Sequence, residues 1–527
     1  MPNTTFFALR RAAMTSASPR ALALALALCA AWPVSAAEVD VEQVREATAK
    51  LIKLLVDQGV LTREKADGVL SDLARPKPAA ANQAAAASPA RAASGATVRV
   101  PYVPEFVKKE IKDELRAELA AQAAKEGWAA PGSVPAWTRG IEIEGDLRTR
   151  FQADRFADGN APAVSIADTN RNRALTLQNT TENRERLRVR ARFGLVGTLD
   201  ENWSGGIRLS SGSLTDPVSA NQTLGTYNTR FTVGLDRAYI RYRSGDSLNV
   251  IAGRFGNPWY GSELVWANDL SFDGVAVQWS PRLADRVRGF ATVAALPVQE
   301  VELSSADKWL FGAQVGATLE ASAKQIGAKA GLGYYRYKNL VGKPSPSGSS
   351  LNEFTAPGFA QRGNTYYNIG SDPARPLLGL ASAYTLVNAT AQVDAPVVAD
   401  KRVFLLADYV RNIGYKRDQV SARVGVDVEP QVNGYQARLG FGDADVRDRN
   451  RWQVFVGYRR VERDAVLDAY TDSDFRLGGT DARGYLLGGS YGFGKNVAGS
   501  IRFFSGDSIS GPPLSVDTVQ VDLNVRF

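Results

Sequence analysis

Over residues 138–527 apolar and polar side chains alternate with a period of two, and that period constrains the fold more than any other feature of the chain. The final stretch shows it plainly: Val519, Val521, Leu523, Val525 and Phe527 share one face, and Gln520, Asp522, Asn524 and Arg526 the other. Successive side chains of a strand point to opposite faces, so each such run reads as a strand with one apolar side. Ile141, Ile143, Leu147 and Phe151 alternate with Glu142, Glu144, Asp146, Arg148, Arg150 and Gln152. Leu187, Val189, Ala191, Phe193 and Leu195 do so with Arg186, Arg188, Arg190 and Arg192, and Trp452, Val454, Val456 and Tyr458 with Arg451, Gln453 and Arg459. One or two such strands make an ordinary half-buried sheet. A whole region of them, without a second apolar layer to cover the apolar faces, predicts strands that meet lipid. A sheet in lipid has to close, because an open edge leaves backbone N–H and C=O groups unpaired. The expected fold is all-β, a transmembrane antiparallel β-barrel of about 16 strands, preceded by a small α-helical periplasmic segment.

The strands are expected near 141–153, 184–199, 202–212, 229–243, 247–256, 272–281, 285–297, 308–320, 325–338, 380–393, 400–411, 433–443, 450–463, 483–493, 496–505 and 516–527. In 285–297 and 400–411 both faces are apolar, which makes them weaker members of the pattern. Connections alternate in length. Short ones fall at 199–202, 244–247, 281–284 and 494–496; long ones at 154–183, 213–228, 257–271, 339–379, 412–432, 464–482 and 506–515. Short turns on the periplasmic side and long loops outside are the pattern of an outer-membrane barrel, and an even strand count leaves both ends in the periplasm. Aromatic residues sort into two belts. Trp203, Tyr242, Trp279, Trp452 and Phe527 lie beside short turns, and Trp309, Tyr435, Tyr458 and Tyr485 toward the long loops. A ring at a membrane interface buries its apolar body and leaves its polar edge wet.

Upstream of the barrel the chain changes character. Arg10, Arg11 and Arg20 precede an apolar run, Ala21 to Ala31, that ends at Val34-Ser35-Ala36, the layout of a secretory signal peptide over residues 1–36, starting at Met1 or Met14. Leu28 before the single Cys29 is too bulky for a lipoprotein processing site. Residues 37–74 carry helical spacing in Val41, Val44, Leu51, Leu54, Leu55 and Val60 and read as a helical periplasmic segment. Residues 75–100 are an Ala/Pro-rich linker. In 101–137, Val107, Ile111, Leu115, Leu119 and Ala123 form one narrow stripe of an amphipathic helix, which either lies on its own chain or self-associates as a short coiled coil.

Composition removes several functions. The chain has no His and one Cys, which takes away His-based acid/base catalysis, disulfide frameworks and Cys-built zinc sites. No enzyme activity and no cofactor are expected. Gly489-Ser490-Tyr491-Gly492-Phe493-Gly494-Lys495-Asn496 nearly spells a phosphate-binding loop, but it lacks the closing Ser/Thr and the following helix, so a tight hairpin explains it. Asp443, Asp445 and Asp448, or Asp472, Asp474 and Asp481, lack calcium-loop spacing and read as solvated turns. The formal charge of +8 does not point to nucleic acid, because the arginines alternate with lipid-facing residues of an exported chain.

Function then rests on the inward face. A barrel of this size is wide enough for an aqueous channel. The expected pore-lining set is Arg148, Arg150, Arg186, Arg188, Arg190, Arg192, Arg208, Arg241, Arg243, Lys329, Arg438, Arg459 and Arg502, with Glu142, Glu144, Asp146, Asp408 and Asp522 opposed. Excess positive charge in a lumen favours anion entry, and opposed signs create a transverse field. The run Arg184 to Arg192 puts five arginines on one side of one strand. It serves either as an anion-selecting ladder or as lumen solvation paired with neighbouring carboxylates. The long loop 339–379 either folds inward as a constriction or stays outside.

The chain resembles bacterial outer-membrane porins, in particular the putative porin family. The features that carry the resemblance are the signal, Leu54-Leu55-Val56-Asp57-Gln58-Gly59-Val60-Leu61-Thr62, Val103-Pro104-Glu105-Phe106, Glu126-Gly127-Trp128-Ala129-Ala130-Pro131, and the terminal Phe527. The resemblance implies Phe527 as an outer-membrane assembly signal, the β-barrel assembly machinery as a partner, a homotrimer in outer-membrane lipid of a Gram-negative bacterium, and passive channel activity; it names no solute. Three readings stand: a general porin for small hydrophilic solutes, weakly preferring anions; a specific channel for phosphate or another small anion; and a barrel-anchored periplasmic tether or adhesin.

Overall fold

The computed structural model describes residues 140–527, apart from residues 303, 323, 324 and 399. The expected signal peptide, helical segments and linker in residues 1–137 lie outside the described residues. Sixteen long strands follow one another around the barrel. The first eight are β1 (Ile141–Phe156), β2 (Arg184–Thr198), β3 (Trp203–Ser211), β4 (Val233–Ser244), β5 (Leu248–Gly256), β6 (Ser271–Trp279), β7 (Val287–Gln299) and β8 (Lys308–Leu319). The remaining eight are β9 (Gly327–Lys338), β10 (Thr385–Val398), β11 (Lys401–Asn412), β12 (Asn433–Gly442), β13 (Trp452–Val461), β14 (Ala482–Gly494), β15 (Val497–Ser508) and β16 (Ser515–Arg526).

Each strand pairs antiparallel with its neighbours, and β1 pairs with β16 to close the ring. The closing register sets Arg150 opposite Asp522. Their side chains meet on the lumen side, Nε to Oδ1 at 2.7 Å and Nη2 to Oδ2 at 2.9 Å. At the seam's end, the Gly145 N–H donates to the Phe527 carbonyl at 2.9 Å and the Phe527 N–H to the Gly145 carbonyl at 3.1 Å. Gly145 is required there, because a Cβ would come within 2.5 Å of the Phe527 ring.

Alternation places the apolar set outside: Ile143, Leu147, Leu187, Phe193, Val315, Val456 and Val521 are exposed on the barrel's outer face, as a lipid-facing wall demands. On that wall Tyr458 contacts Tyr435 at 6.3 Å and Tyr485 at 5.3 Å between ring centroids, and Trp203 contacts Tyr242 at 4.9 Å. Strand boundaries follow the expected ones closely except at β4, which starts at Val233 rather than 229, and at β10, which runs Thr385–Val398 rather than 380–393. The apolar run before it, Leu377 to Ala381, belongs instead to the long loop, where Leu378–Leu380 pairs with Tyr366–Asn368 and packs inside the barrel. Gly489 to Asn496 is the β14–β15 hairpin, with Asn496 at φ 61°.

The outward apolar faces carry no covering layer, as expected, but the inside of the barrel has an apolar layer that the alternation did not announce. Loops 257–270, 339–384 and 462–481 turn into the barrel and build a buried cluster there, including Trp259, Leu264, Trp266, Leu270, Leu380, Val466 and Phe475. Trp266 stands edge-on to Phe272 at 5.3 Å and to Tyr335 at 5.1 Å. These loops form an apolar layer against the inner face of the strands.

Candidate permeation pathway

The arginines expected inside fall in different places. Arg148, Arg190, Arg192, Arg438, Arg459 and Arg502 line one cavity of about 470 Å³, which extends to Asn496 and Arg526 beside the short turns. Arg184, Arg186 and Arg188 line a second cavity of about 480 Å³ under the long loops. Val218 and Ser473 border both cavities, and the Ser473 hydroxyl donates to the Val218 carbonyl at 3.3 Å. Arg243 and Lys329 lie against a third cavity of about 550 Å³, with Lys329 Nζ 4.3 Å above the Tyr260 ring. Arg208 is paired with Asp236, and Arg241 sits 5.0 Å from the Tyr239 ring. Glu142 and Glu144 are exposed at the start of β1 and make no ion pair among the described residues.

Two loops supply the negative side. Loop 257–270 is pinned to the wall by Asp408, which accepts from the Ser262 N–H at 3.1 Å, Ser262 Oγ at 2.5 Å, Asn388 Nδ2 at 2.6 Å and Thr390 Oγ1 at 3.0 Å. Asp408 is therefore an anchor; it does not oppose the arginines as expected. From this loop Glu263 reaches Arg438 at 3.2 Å, and Asp269 reaches Arg190 at 2.9 Å and Arg192 at 3.3 Å. Asp146 pairs with the same two arginines at 2.7 and 2.6 Å. Loop 462–481 brings Asp472 to Arg459 at 2.5 Å, and Asp474 to Arg150 at 3.0 Å and Arg502 at 3.1 Å.

The charges tune one another. Burial pushes the Glu263 carboxyl up, but Arg438 and Arg459 outweigh it and hold it at about 2. Asp269 is likewise raised by burial and brought below its ordinary value by Arg190, Arg192 and Arg148. Asp474, also penalised by burial, is driven well below the usual carboxylate range by Arg150, Arg502 and Arg148. All three are ionised at neutral pH, so anionic loops face a cationic wall.

Glu263 and Asp269 carry no periodic signal in the sequence, and Asp472 and Asp474 stand out there only as calcium candidates. Loop 257–270 did carry a signal: Trp259, Leu264, Val265, Trp266 and Leu270 are too apolar for a loop left in water. Of the other calcium candidates, Asp443 is engaged by Lys401 and Arg451 at 2.8 Å each, Asp445 by Arg447, and Asp481 by the Ser510 and Gly511 amides at 3.0 and 2.9 Å.

Residues 45–527 match the protein family described as "Putative porin". The chain belongs to that family. It is an outer-membrane β-barrel channel of Gram-negative type, and its family and fold are those of a channel rather than of an enzyme. Similar solved structures include Pseudomonas putida OprB at high pH, with 12% identity over 74% of this chain and 94% of that one, TM-score 0.44. The outer-membrane channel DcaP of Acinetobacter baumannii has 11% identity over 74% of this chain and 98% of that one, TM-score 0.40. Salmonella typhi OmpF, solved in complex with daunomycin, has 10% identity over 73% of this chain and 97% of that one, TM-score 0.40. No curated protein sequence matches.

Proposed function

We propose that this porin passes small hydrophilic solutes passively and prefers anions, along a path from the cavity under the long loops, past Val218 and Ser473, to the cavity beside the short turns. The observation that carries the reading is the imbalance left after pairing. Arg148 and Arg188 both border this path, yet their side-chain bonds go to neutral oxygens, Asn221 Oδ1 at 2.5 Å and Gln152 Oε1 at 3.2 Å. Neither has a carboxylate within ion-pair distance among the described residues. Paired arginines contribute a local transverse field, and unpaired ones contribute net positive potential. The pore-lining roles of Arg148, Arg186, Arg188, Arg190, Arg192, Arg438, Arg459 and Arg502 belong to this proposal; Arg150, 1% exposed and lining neither cavity, holds the seam.

The same reading includes a cleaved signal, Phe527 as the terminal mark for the β-barrel assembly machinery, a homotrimer, and residues 37–137 in the periplasm. The test is single-channel recording of the purified porin in a planar bilayer, with the reversal potential taken under a KCl gradient. Open steps with a reversal potential on the chloride side are expected. Open steps without selectivity would remove the anion preference, and an inserted barrel that passes no current would overturn the channel path itself.

A further inference from the structure

The arginines of the two cavities differ in how far their charge is satisfied. Beside the short turns, Arg190, Arg192, Arg438, Arg459 and Arg502 each have a carboxylate partner, while Arg148 and Arg526 have none among the described residues. Under the long loops the balance reverses: of the lining arginines only Arg186 has a carboxylate partner, and Arg184, Arg188 and Arg362 have none among the described residues. Asp154 is taken by Arg186 at 2.6 Å, Asp168 by Arg171 at 2.9 Å, and Asp216 accepts the Val218 and Ser219 amides at 3.0 and 3.1 Å. That cavity is also lined by Arg362, from loop 339–384, whose side chain makes no hydrogen bond or ion pair among the described residues. Buried Arg362 Nη1, Arg188 Nε and Arg186 Nε all lack a partner.

A guanidinium taken out of water without an anion is costly, so Arg362, with no side-chain partner, and Arg188, bonded only to Gln152, point to a missing acceptor. Burial, with Arg476 nearby, pulls the Arg362 guanidinium down to about 9, the shift an unneutralised cation shows and a bound anion would relieve. The remaining wall includes Phe156, Phe359 and Leu477, so an acceptor there also meets apolar surface.

We propose that the cavity under the long loops is a binding site for small organic oxyanions, with Arg188 and Arg362 holding the anionic head and Phe156, Phe359 and Leu477 flanking an apolar body. It rests on the channel reading above and names the solute class for it. A guanidinium fork matches the paired oxygens of a carboxylate or a phosphoryl group, which a chloride ion cannot offer. A cavity of about 480 Å³ holds a single-ring molecule with its head group.

The test uses the full exported porin, purified from outer membranes, in a planar bilayer carrying KCl current. Phenyl phosphate is titrated as the probe, with inorganic phosphate as comparator. Saturable block by phenyl phosphate is expected, with inorganic phosphate at least about tenfold weaker because it lacks the apolar body. Arg362→Gln should raise the half-blocking concentration about tenfold or more, and Arg188→Lys, which keeps the charge but loses the fork, should raise it severalfold. No block, equal block by the two phosphates, or block unchanged in both variants would overturn the site. If Arg362→Gln fails to insert, Arg188→Lys alone decides. The reversal potential of the same channels separates the two claims: anion-selective current without block removes only the site, whereas absent current removes the channel reading.

Discussion

Strands β5 to β11 and strands β12 round to β2 are two arcs of the same barrel, but they meet its interior with different chemistry. The first arc turns Phe255, Phe272, Leu296, Leu310, Tyr335, Leu386 and Val410 inward, all buried under the infolded loops. The second arc turns Arg438, Arg459, Arg502, Arg148, Arg150, Arg190 and Arg192 inward. Hydrophobic burial holds the loops on one side, and charge pairing draws their acidic tips toward the other. An open lumen with arginines all round would solvate ions uniformly. An apolar arc opposite a cationic one lets the protein place Glu263, Asp269, Asp472 and Asp474 within bonding distance of the arginine wall.

The largest expected effect comes from breaking the charged arc at its seam. Arg150 is 1% exposed and its charge is balanced by Asp522 and Asp474. Asp522→Ala strips one partner from a buried cation, at a cost of about 3–5 kcal/mol. The variant should lose heat-modifiable migration of the folded barrel on gels at a lower urea concentration than the parent. Unchanged urea resistance would mean the pair contributes nothing to closure.

Breaking the apolar arc should act on the pore more than on the barrel. Trp266→Ala removes the ring held between Phe272 and Tyr335 and should cost loop 257–270 roughly 3 kcal/mol of docking. With the loop loosened, Glu263 and Asp269 leave the arginine wall. Single-channel conductance should rise and become noisy while urea resistance changes little. A parental conductance would show that the loop stays docked without its tryptophan.

A smaller effect is expected from pH, and it isolates the contact between loops 339–384 and 462–481. Tyr366 donates to both Asp468 oxygens at 3.0 Å, and Thr365 Oγ1 and Tyr384 OH bond Asp464 at 2.6 and 2.8 Å. Burial pushes the Asp468 carboxyl up to about 7, against the Tyr366 hydroxyl and the Ala469 amide, and it raises Asp464 in the same direction. A carboxyl raised on docking binds a proton more tightly in the docked state. Its contribution is therefore full below the ordinary value of 3.8 and is lost as pH rises through about 7. Backbone amides of 361–368 should exchange with deuterium more slowly at pH 5 than at pH 8, after correction for intrinsic rates, and Asp468→Asn should flatten the difference.

The outer wall was legible because lipid imposes a strict rule: every second residue of a spanning strand is apolar, and Phe527, Leu523 and Val521 obey it to the last turn. The interior was only half legible. The arginines of β2 stood out because nothing else explains five of them on one face. Their loop partner did not, since Asp269 reaches Arg190 and Arg192 from a loop more than seventy residues along the chain, and no period records that meeting. The runs 285–297 and 400–411 looked weak as strands because both faces are apolar. In the structure this is their role: Leu296 and Val410 carry the infolded loops while Val293 and Leu405 face outward. Two-sided apolar strands next to an apolar loop such as 257–270 were the trace of the second layer.

The most direct test of this account reverses charge on each side of the cavity beside the short turns and reads the reversal potential under a KCl gradient. Arg190→Glu with Arg192→Glu on the wall should shift it toward potassium, and Glu263→Lys on the loop should shift it further toward chloride. Opposite shifts of this kind are the predicted result. If neither substitution moves the reversal potential in channels of parental conductance, ions do not pass between the arginine wall and the infolded loops, and the account is wrong.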